Sequence, residues 1–228
     1  MKMARRDQIQ NAYRLTGSSA GFYDGMITYS TFLGKLICRL VWNMDARKNL
    51  HYIEKALSGI PEDFSGRLLE VPVGTGVLTM PLYRELKDAD ITCLDYSEAM
   101  MKRARDKAKQ FGIENIRFIQ GDVGAIPFPD ESFDIVLSLN GFHAFPDKEA
   151  AYRETYRVLK QGGIFCGCFY IKGGCSRTDW FIKYMYQPMG FFTPPYETKE
   201  SLKNRLSSLY RKSGILNVEG IACFRCSK

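Results

Sequence analysis

At 228 residues, with 45% hydrophobic and 25% charged residues, the chain can bury a sizeable core as one decorated α/β domain or as two small ones. No run reaches the ~18 apolar residues of a membrane span, and the basic start MKMARRDQIQNAY lacks the apolar segment of a secretory signal, so the expected location is cytoplasmic. The net charge of +7, from 32 basic and 25 acidic residues, invites a nucleic-acid partner, but much of the excess sits in Lys102, Arg103, Arg105, Lys107 and Lys109. These alternate with Met100, Ala104, Ala108 and Phe111 at helical spacing, which describes a solvated helix face; no nucleic-acid motif accompanies them.

In chain order, residues 1 to about 17 are polar, with one short helix expected before Gly17-Ser18-Ser19. Phe22-Tyr23-Asp24-Gly25 leads into a long helical pattern from Ile27 to Leu57, with Leu33, Leu36, Ile37, Leu40, Val41 and Met44 at three- and four-residue steps. This aromatic-rich stretch reads either as a helix packed on the core or as a lid over a ligand cleft. Gly59-Ile60-Pro61 ends it. The run RLLEVPVGTGVLTM, Arg67 to Met80, then predicts a buried strand, a glycine turn and a helix start. Glycines let the backbone turn tightly and let a ligand approach it, while the new helix points unsatisfied amides into the turn. Glu70 is the unusual member: a buried carboxylate there suits a ligand with a cationic amino group and opposes a pyrophosphate.

A second strand, Asp90 to Asp95, ends in an acid 19 residues beyond Gly76, where a doubly wound domain places a carboxylate for a ribose diol. Ser97 caps the basic helix that follows. A third strand, Ile116 to Gln120, runs into Gly121-Asp122-Val123; an acid followed by an apolar residue can accept from an adenine amine and pack on its ring. The fourth strand, Ile135 to Leu139, ends in Asn140-Gly141-Phe142-His143. A helix from Lys148 to Leu159 turns at Gly162-Gly163 into a fifth strand, Ile164 to Tyr170. Strands alternating with helical patterns predict a mostly parallel, seven-stranded-type α/β sheet, doubly wound and Rossmann-like, with its ligand at the strands' carboxyl ends.

The segment from Lys172 to Glu197 is rich in Trp, Phe and Tyr and interrupted by Pro188, Pro194 and Pro195. Together with the aromatic N-terminal stretch it suggests an apolar pocket for a small apolar or aromatic molecule. A last helix is expected from Thr198 to Ser213, and the tail from Ile215 to Cys226 looks short for a complete hairpin. The seven cysteines are odd in number and irregularly spaced, and Cys223 and Cys226 form a single CxxC without a second pair or a nearby histidine. Neither a disulfide framework nor a metal site is expected.

With these residues assembled, the chain resembles the class I S-adenosylmethionine-dependent methyltransferases, in the small-molecule group that includes the ubiquinone and menaquinone biosynthesis enzymes. The resemblance covers roughly residues 66–170. LLEVPVGTG is similar to the family's first motif, LDYSEAM to its second, GDVGAIPFPDESFDIV to its third and YRVLKQGGIF to its signature after the fourth strand. Pro72 departs from it, standing where most members have the first glycine; it removes an amide donor and fixes the backbone.

The resemblance implies S-adenosylmethionine as cofactor, with Glu70 at its amino group and Pro72, Gly74, Thr75 and Gly76 shaping the floor beneath its methionine part. Asp95 takes the ribose hydroxyls, with Tyr96, Ser97 and Met100 beside the adenosine, Asp122 and Val123 at the adenine, and Tyr23 and Asn140 completing the cofactor set. His143 is the candidate base, because histidine titrates near neutrality; the alternative is a polar pocket wall. Residues 1–60 read as a helical segment or lid and 61–228 as the methyltransferase domain, with 172–197 an acceptor-side insertion. RNA or protein methylation, and cofactor binding without transfer, remain the other readings. The acceptor atom and the oligomeric state stay open.

Overall fold

The computed structural model describes residues 20–228, with the backbone alone for residues 20–23. The short helix expected before Gly17 lies outside the described residues. The strands are β1 (Arg67–Glu70), β2 (Asp90–Asp95), β3 (Ile116–Gln120), β4 (Phe133–Leu139), β5 (Leu159–Tyr170), β6 (Lys212–Val218) and β7 (Ile221–Ser227). They form one sheet in the order β3-β2-β1-β4-β5-β7-β6. The first five run parallel, and β7 runs antiparallel between β5 and β6. The chain reverses its winding between β1 and β4, where a cleft opens at the strands' carboxyl ends.

Alternate residues of the central strands serve two separate cores, which is why β1 and β4 read as nearly continuous apolar runs. Leu68, Ile135, Leu137 and Cys166 face one side; Leu69, Val136, Phe165 and Phe169 face the other. The first side is covered by α3 (Ala46–Leu57), α4 (Met80–Tyr83) and α5 (Glu98–Phe111), through Tyr52, Tyr83 and Met101. The second is covered by α6 (Lys148–Val158) and α8 (Lys199–Leu209), through Tyr152, Leu202 and Leu206. Between them in sequence lies α7 (Ser176–Phe181), continued by a π-helical turn, Ile182–Tyr186. Cys223 and Cys226 fall on opposite faces of β7, as an odd spacing on a strand requires, so the CxxC cannot chelate. All seven cysteines are free thiols.

Two expectations need correction. The helical pattern from Ile27 to Leu57 is not continuous: α1 (Ala20–Ile27), α2 (Phe32–Leu40) and α3 are separate. Tyr29 and Asn43 adopt left-handed backbone between them, and Thr31 and Asp45 cap the next helix by accepting from Gly34 and Lys48 amides. The tail is also a full hairpin rather than a compressed one. The last helix stops at Leu209 because Tyr210 is extended, which frees Lys212 to Gly214 to pair with β7.

Candidate cofactor cleft

The turn after β1 carries the site. Gly74 and Gly76 have φ of 56° and 66°, and a Cβ at Gly74 would meet nothing within 4 Å, so this backbone lies open to the cleft. The Gly74 amide donates to Asp95 Oδ2 at 2.8 Å, and the Ser97 amide donates to Oδ1 at 2.8 Å. Asp95 thus ties the glycine turn to the start of α5, which Ser97 caps. Burial pushes the Asp95 carboxyl up to about 6, against the pull of the Ser97 and Gly74 amides.

Glu70 is fully buried at the end of β1. Tyr83 donates to its Oε2 at 3.0 Å and the Cys93 thiol approaches the same oxygen at 3.7 Å. Burial pushes this carboxyl up to about 8, and the Tyr83 hydroxyl only partly offsets it. At the end of β3, Asp122 caps the 3₁₀ turn Val123–Ala125 by accepting from the Gly124 amide. Asn140 follows β4 with φ of 54°, its amide donating to Cys168 at 2.7 Å.

These strand ends border one open cleft of about 1080 Å³, its mouth included. Glu70, Pro72, Gly74, Thr75 and Gly76 form its floor; Asp95, Tyr96, Ser97 and Met100 form one wall; Asp122, Val123 and Asn140 form another. Beyond Asn140 the lining turns apolar, with Leu139, Ala144, Phe145 and Pro146. Tyr23 is in α1, but its side chain lies outside the described residues. Among the described residues the lining contains three carboxyl groups, Glu70, Asp95 and Asp122, and no lysine, arginine or histidine. Such a wall repels phosphate and suits a ligand that brings cationic centres and hydroxyls, as S-adenosylmethionine does.

Two further contacts shape the cleft. Gly141 stands against the Pro72 ring: a Cβ there would lie 2.4 Å from Pro72 Cδ and 2.6 Å from Phe145 Cζ. Asp24 of α1 reaches over the glycine turn, accepting from the Thr75 hydroxyl at 2.6 Å and pairing with Lys107 of α5 at 2.8 Å. Nothing in the sequence distinguishes Asp24 from other turn acids, and the contact spans 51 residues.

His143 does not line the cleft, a correction to its candidacy as the base. Its Nδ1 accepts from the Tyr170 amide at 3.3 Å, and its ring stacks on Phe192 at 4.2 Å. Burial, with Lys148 nearby, pushes its pKa down to about 3, so it stays neutral and is a poor proton acceptor. The expected aromatic pocket is also corrected. Trp42, Tyr170, Ile182, Tyr186, Phe192 and Tyr196 pack into a small core of their own at the end of β5, and no residue of 172–197 lines the cleft.

Residues 68–163 match the family model for a methyltransferase domain. Over 124 residues the chain is 37% identical to the demethylmenaquinone methyltransferase of Thermus thermophilus, spanning 54% of each chain. Over 118 residues it is 32% identical to the chloroplastic 2-methyl-6-phytyl-1,4-hydroquinone methyltransferase 1 of Oryza sativa subsp. japonica, spanning 52% of this chain and 34% of that one. The chain therefore spans about half the length, or less, of these curated relatives. The fold matches an S-adenosylmethionine-dependent methyltransferase of Thermotoga maritima with a TM-score of 0.63 at 20% identity, covering 85% of this chain and 91% of that one. Sheet order, acid-lined cleft and the matched segment agree: residues 68–163 match a methyltransferase domain, and the chain is similar to the class I S-adenosylmethionine-dependent methyltransferases, the quinone-methylating group among them.

Proposed function

We propose that the chain transfers a methyl group from S-adenosylmethionine to a small, apolar or aromatic acceptor of the quinone or hydroquinone type. The observation that carries the cofactor is the cleft's acidic lining: three carboxyl groups and no cation among its described lining residues. When bound, the cofactor supplies a methyl group already activated on a sulfonium sulfur, which leaves the protein mainly alignment and exclusion of water.

In this reading Glu70 binds the cofactor's ammonium and gives up its proton in doing so, because a cation beside it favours the carboxylate. Asp95 keeps lone pairs for the ribose hydroxyls while its amide contacts hold the glycine turn in place. Asp122 and Val123 hold the adenine; Tyr96, Ser97 and Met100 flank the adenosine; Pro72, Gly74, Thr75, Gly76 and Asn140 shape the space around the methionine part. The acceptor sits against Leu139, Ala144, Phe145 and Pro146, the apolar end of the lining, which supports an apolar ring over a charged polymer. With His143 outside the cleft, the fitting acceptor is an acidic hydroxyarene or carbon acid whose nucleophile needs little help from a protein base. The helices up to residue 60 act as a lid latched by Asp24 on Thr75, and residues 61–228 form the transfer domain with 172–197 as its insertion.

The deciding experiment titrates the protein calorimetrically with S-adenosylmethionine and its demethylated product, then assays methyl transfer to soluble quinols. Micromolar binding and labelled product support the proposal; a folded protein that binds neither compound overturns it. Repeating the titration at pH 7 in buffers of different ionisation heat should show about one proton released, and none in Glu70→Gln.

A further inference from the structure

The helix α2 is packed inside out. Its inward face carries Gly34 and Cys38: a Cβ at Gly34 would lie 2.4 Å from the Gly25 carbonyl oxygen of α1, and the Cys38 thiol donates to the Met26 carbonyl at 3.2 Å. Its large apolar residues point outward, with Phe32 at 85% exposure, Leu33 at 52%, Leu36 at 41% and Leu40 at 51%. At 100° per residue these four fall within about a quarter of the helix circumference, forming one continuous stripe.

The end of α2 packs against a second element of the same character. Thr178 of α7 donates to the Val41 carbonyl at 2.7 Å, and Trp42 lies 6.3 Å from Phe192. From that element Trp180 at 54%, Tyr184, Met185 and Met189 at 57% also stand exposed. Soluble surfaces scatter single apolar side chains, but two adjoining elements that both expose their largest ones mark a contact surface.

Charge indicates what the surface contacts. Lys35 and Arg39 flank the α2 stripe, gathered around Tyr29: Arg39 Nε donates to its hydroxyl at 3.0 Å and Lys35 Nζ lies 5.9 Å from its ring. Lys183 lies 4.7 Å from the Tyr184 ring. There is no acid from Phe32 to Met44 or from Trp180 to Tyr196. The acids that adjoin these two segments are engaged: Asp45 accepts from the Lys48 amide, Asp179 from the Tyr170 hydroxyl and the Gly173 amide, and Glu197 pairs with Arg205. Exposed Trp, Tyr and Leu interleaved with cations, and with no acid inside either segment, have the composition of a surface that lies in a lipid headgroup region.

We propose that the outward face of α2 and the Trp180–Met189 segment form a docking surface for an anionic lipid bilayer. No helix among the described residues is long and apolar enough to cross a membrane, so the contact is peripheral, and two short elements make it reversible and salt-sensitive. Because α1 joins α2 through Thr28–Thr31 and its Ile27 lines the cleft, docking sets the cleft beside the bilayer. The surface stands independently of whether methyl transfer occurs.

The test is co-sedimentation of the full chain with phosphatidylcholine vesicles, with and without phosphatidylglycerol. Binding to the anionic vesicles, with a blue shift of tryptophan emission, is expected. Lys35→Gln with Arg39→Gln should weaken it about 25-fold, each cation being worth roughly a factor of five at such a surface. Leu36→Ser with Leu40→Ser, both exposed positions, should weaken it at least as much, while Leu216→Ser, an exposed apolar residue on β6, should leave it unchanged. No binding by the wild type overturns the proposal, as does equal binding by all variants. Concentration-dependent dimerisation that vanishes in the Leu36/Leu40 variant would also overturn it, by giving the face to a second copy.

Discussion

Two buried ionisable side chains follow neighbouring strands, and they end in different roles. Glu70, closing β1, borders open space and keeps donors around it from Tyr83 and Cys93. His143, four residues past β4, has its ring stacked on Phe192 and its lone pair taken by the Tyr170 amide. Burial makes both neutral near pH 7, by opposite shifts. The difference teaches that a perturbed titratable group marks a site only when it also faces a void; the same perturbation inside a packed aromatic cluster is a property of the core.

The comparison breaks most readily on pH. Below pH 4.5 the folded and unfolded chains both carry the Glu70 proton; between 4.5 and about 8 only the folded chain does. Stability should therefore fall as pH rises across that window, by about 1.4 kcal/mol per pH unit and several kcal/mol in all. Chemical denaturation of Glu70→Gln against wild type from pH 5 to 9 should show the difference curve flattening only above 8; parallel curves would remove Glu70 from the buried-acid role. Next in size is Asp95→Ala. Losing two charge-assisted hydrogen bonds to a ribose should weaken cofactor binding about a hundredfold by calorimetry, and an unchanged affinity would move the ribose elsewhere.

His143→Phe should sharpen the contrast from the other side. It should keep methyl transfer within about threefold, cost about 1 kcal/mol of stability, and remove the wild-type loss of stability as pH drops from 6.5 toward 3, where only the unfolded chain takes up the proton. A folded variant without activity would return His143 to the chemistry. The smallest effect belongs to Asp24→Asn. It keeps an acceptor for Thr75 but discards the charge facing Lys107, both groups partly buried, so thermal denaturation should record a loss of about 0.5 kcal/mol.

The sheet and cleft were legible in sequence where their causes are local. Apolar runs broken by glycine place β1 and its turn, and an acid at a fixed distance beyond Gly76 places Asp95, because strand length and turn chemistry are written in adjacent residues. The helix before them was not. Leu33, Leu36 and Leu40 announce an amphipathic helix, but periodicity does not say which side faces the protein, and here Gly34 and Cys38 take the inside. The breaks at Tyr29 and Asn43 escaped because neither glycine nor proline marks them. His143 escaped for a related reason: after β4 the chain bends, and one residue of rotation separates the cleft wall at Ala144 from the aromatic cluster behind it.

Pro72 and Gly141 follow different strands, β1 and β4, yet they fill one space between the two strand ends. That makes them an exchange pair, with Phe145 as the third party. While proline holds position 72, even alanine at 141 must push the Pro72 ring aside, whereas glycine at 72 leaves only the end of the Phe145 ring and the Ser138 hydroxyl, 3.1 Å away, to give way. A library randomised at all three positions and selected for folding would return small residues at 141 wherever proline survives at 72, and a broader set where it does not. The variation tolerated after one strand is set by the residue chosen after the other.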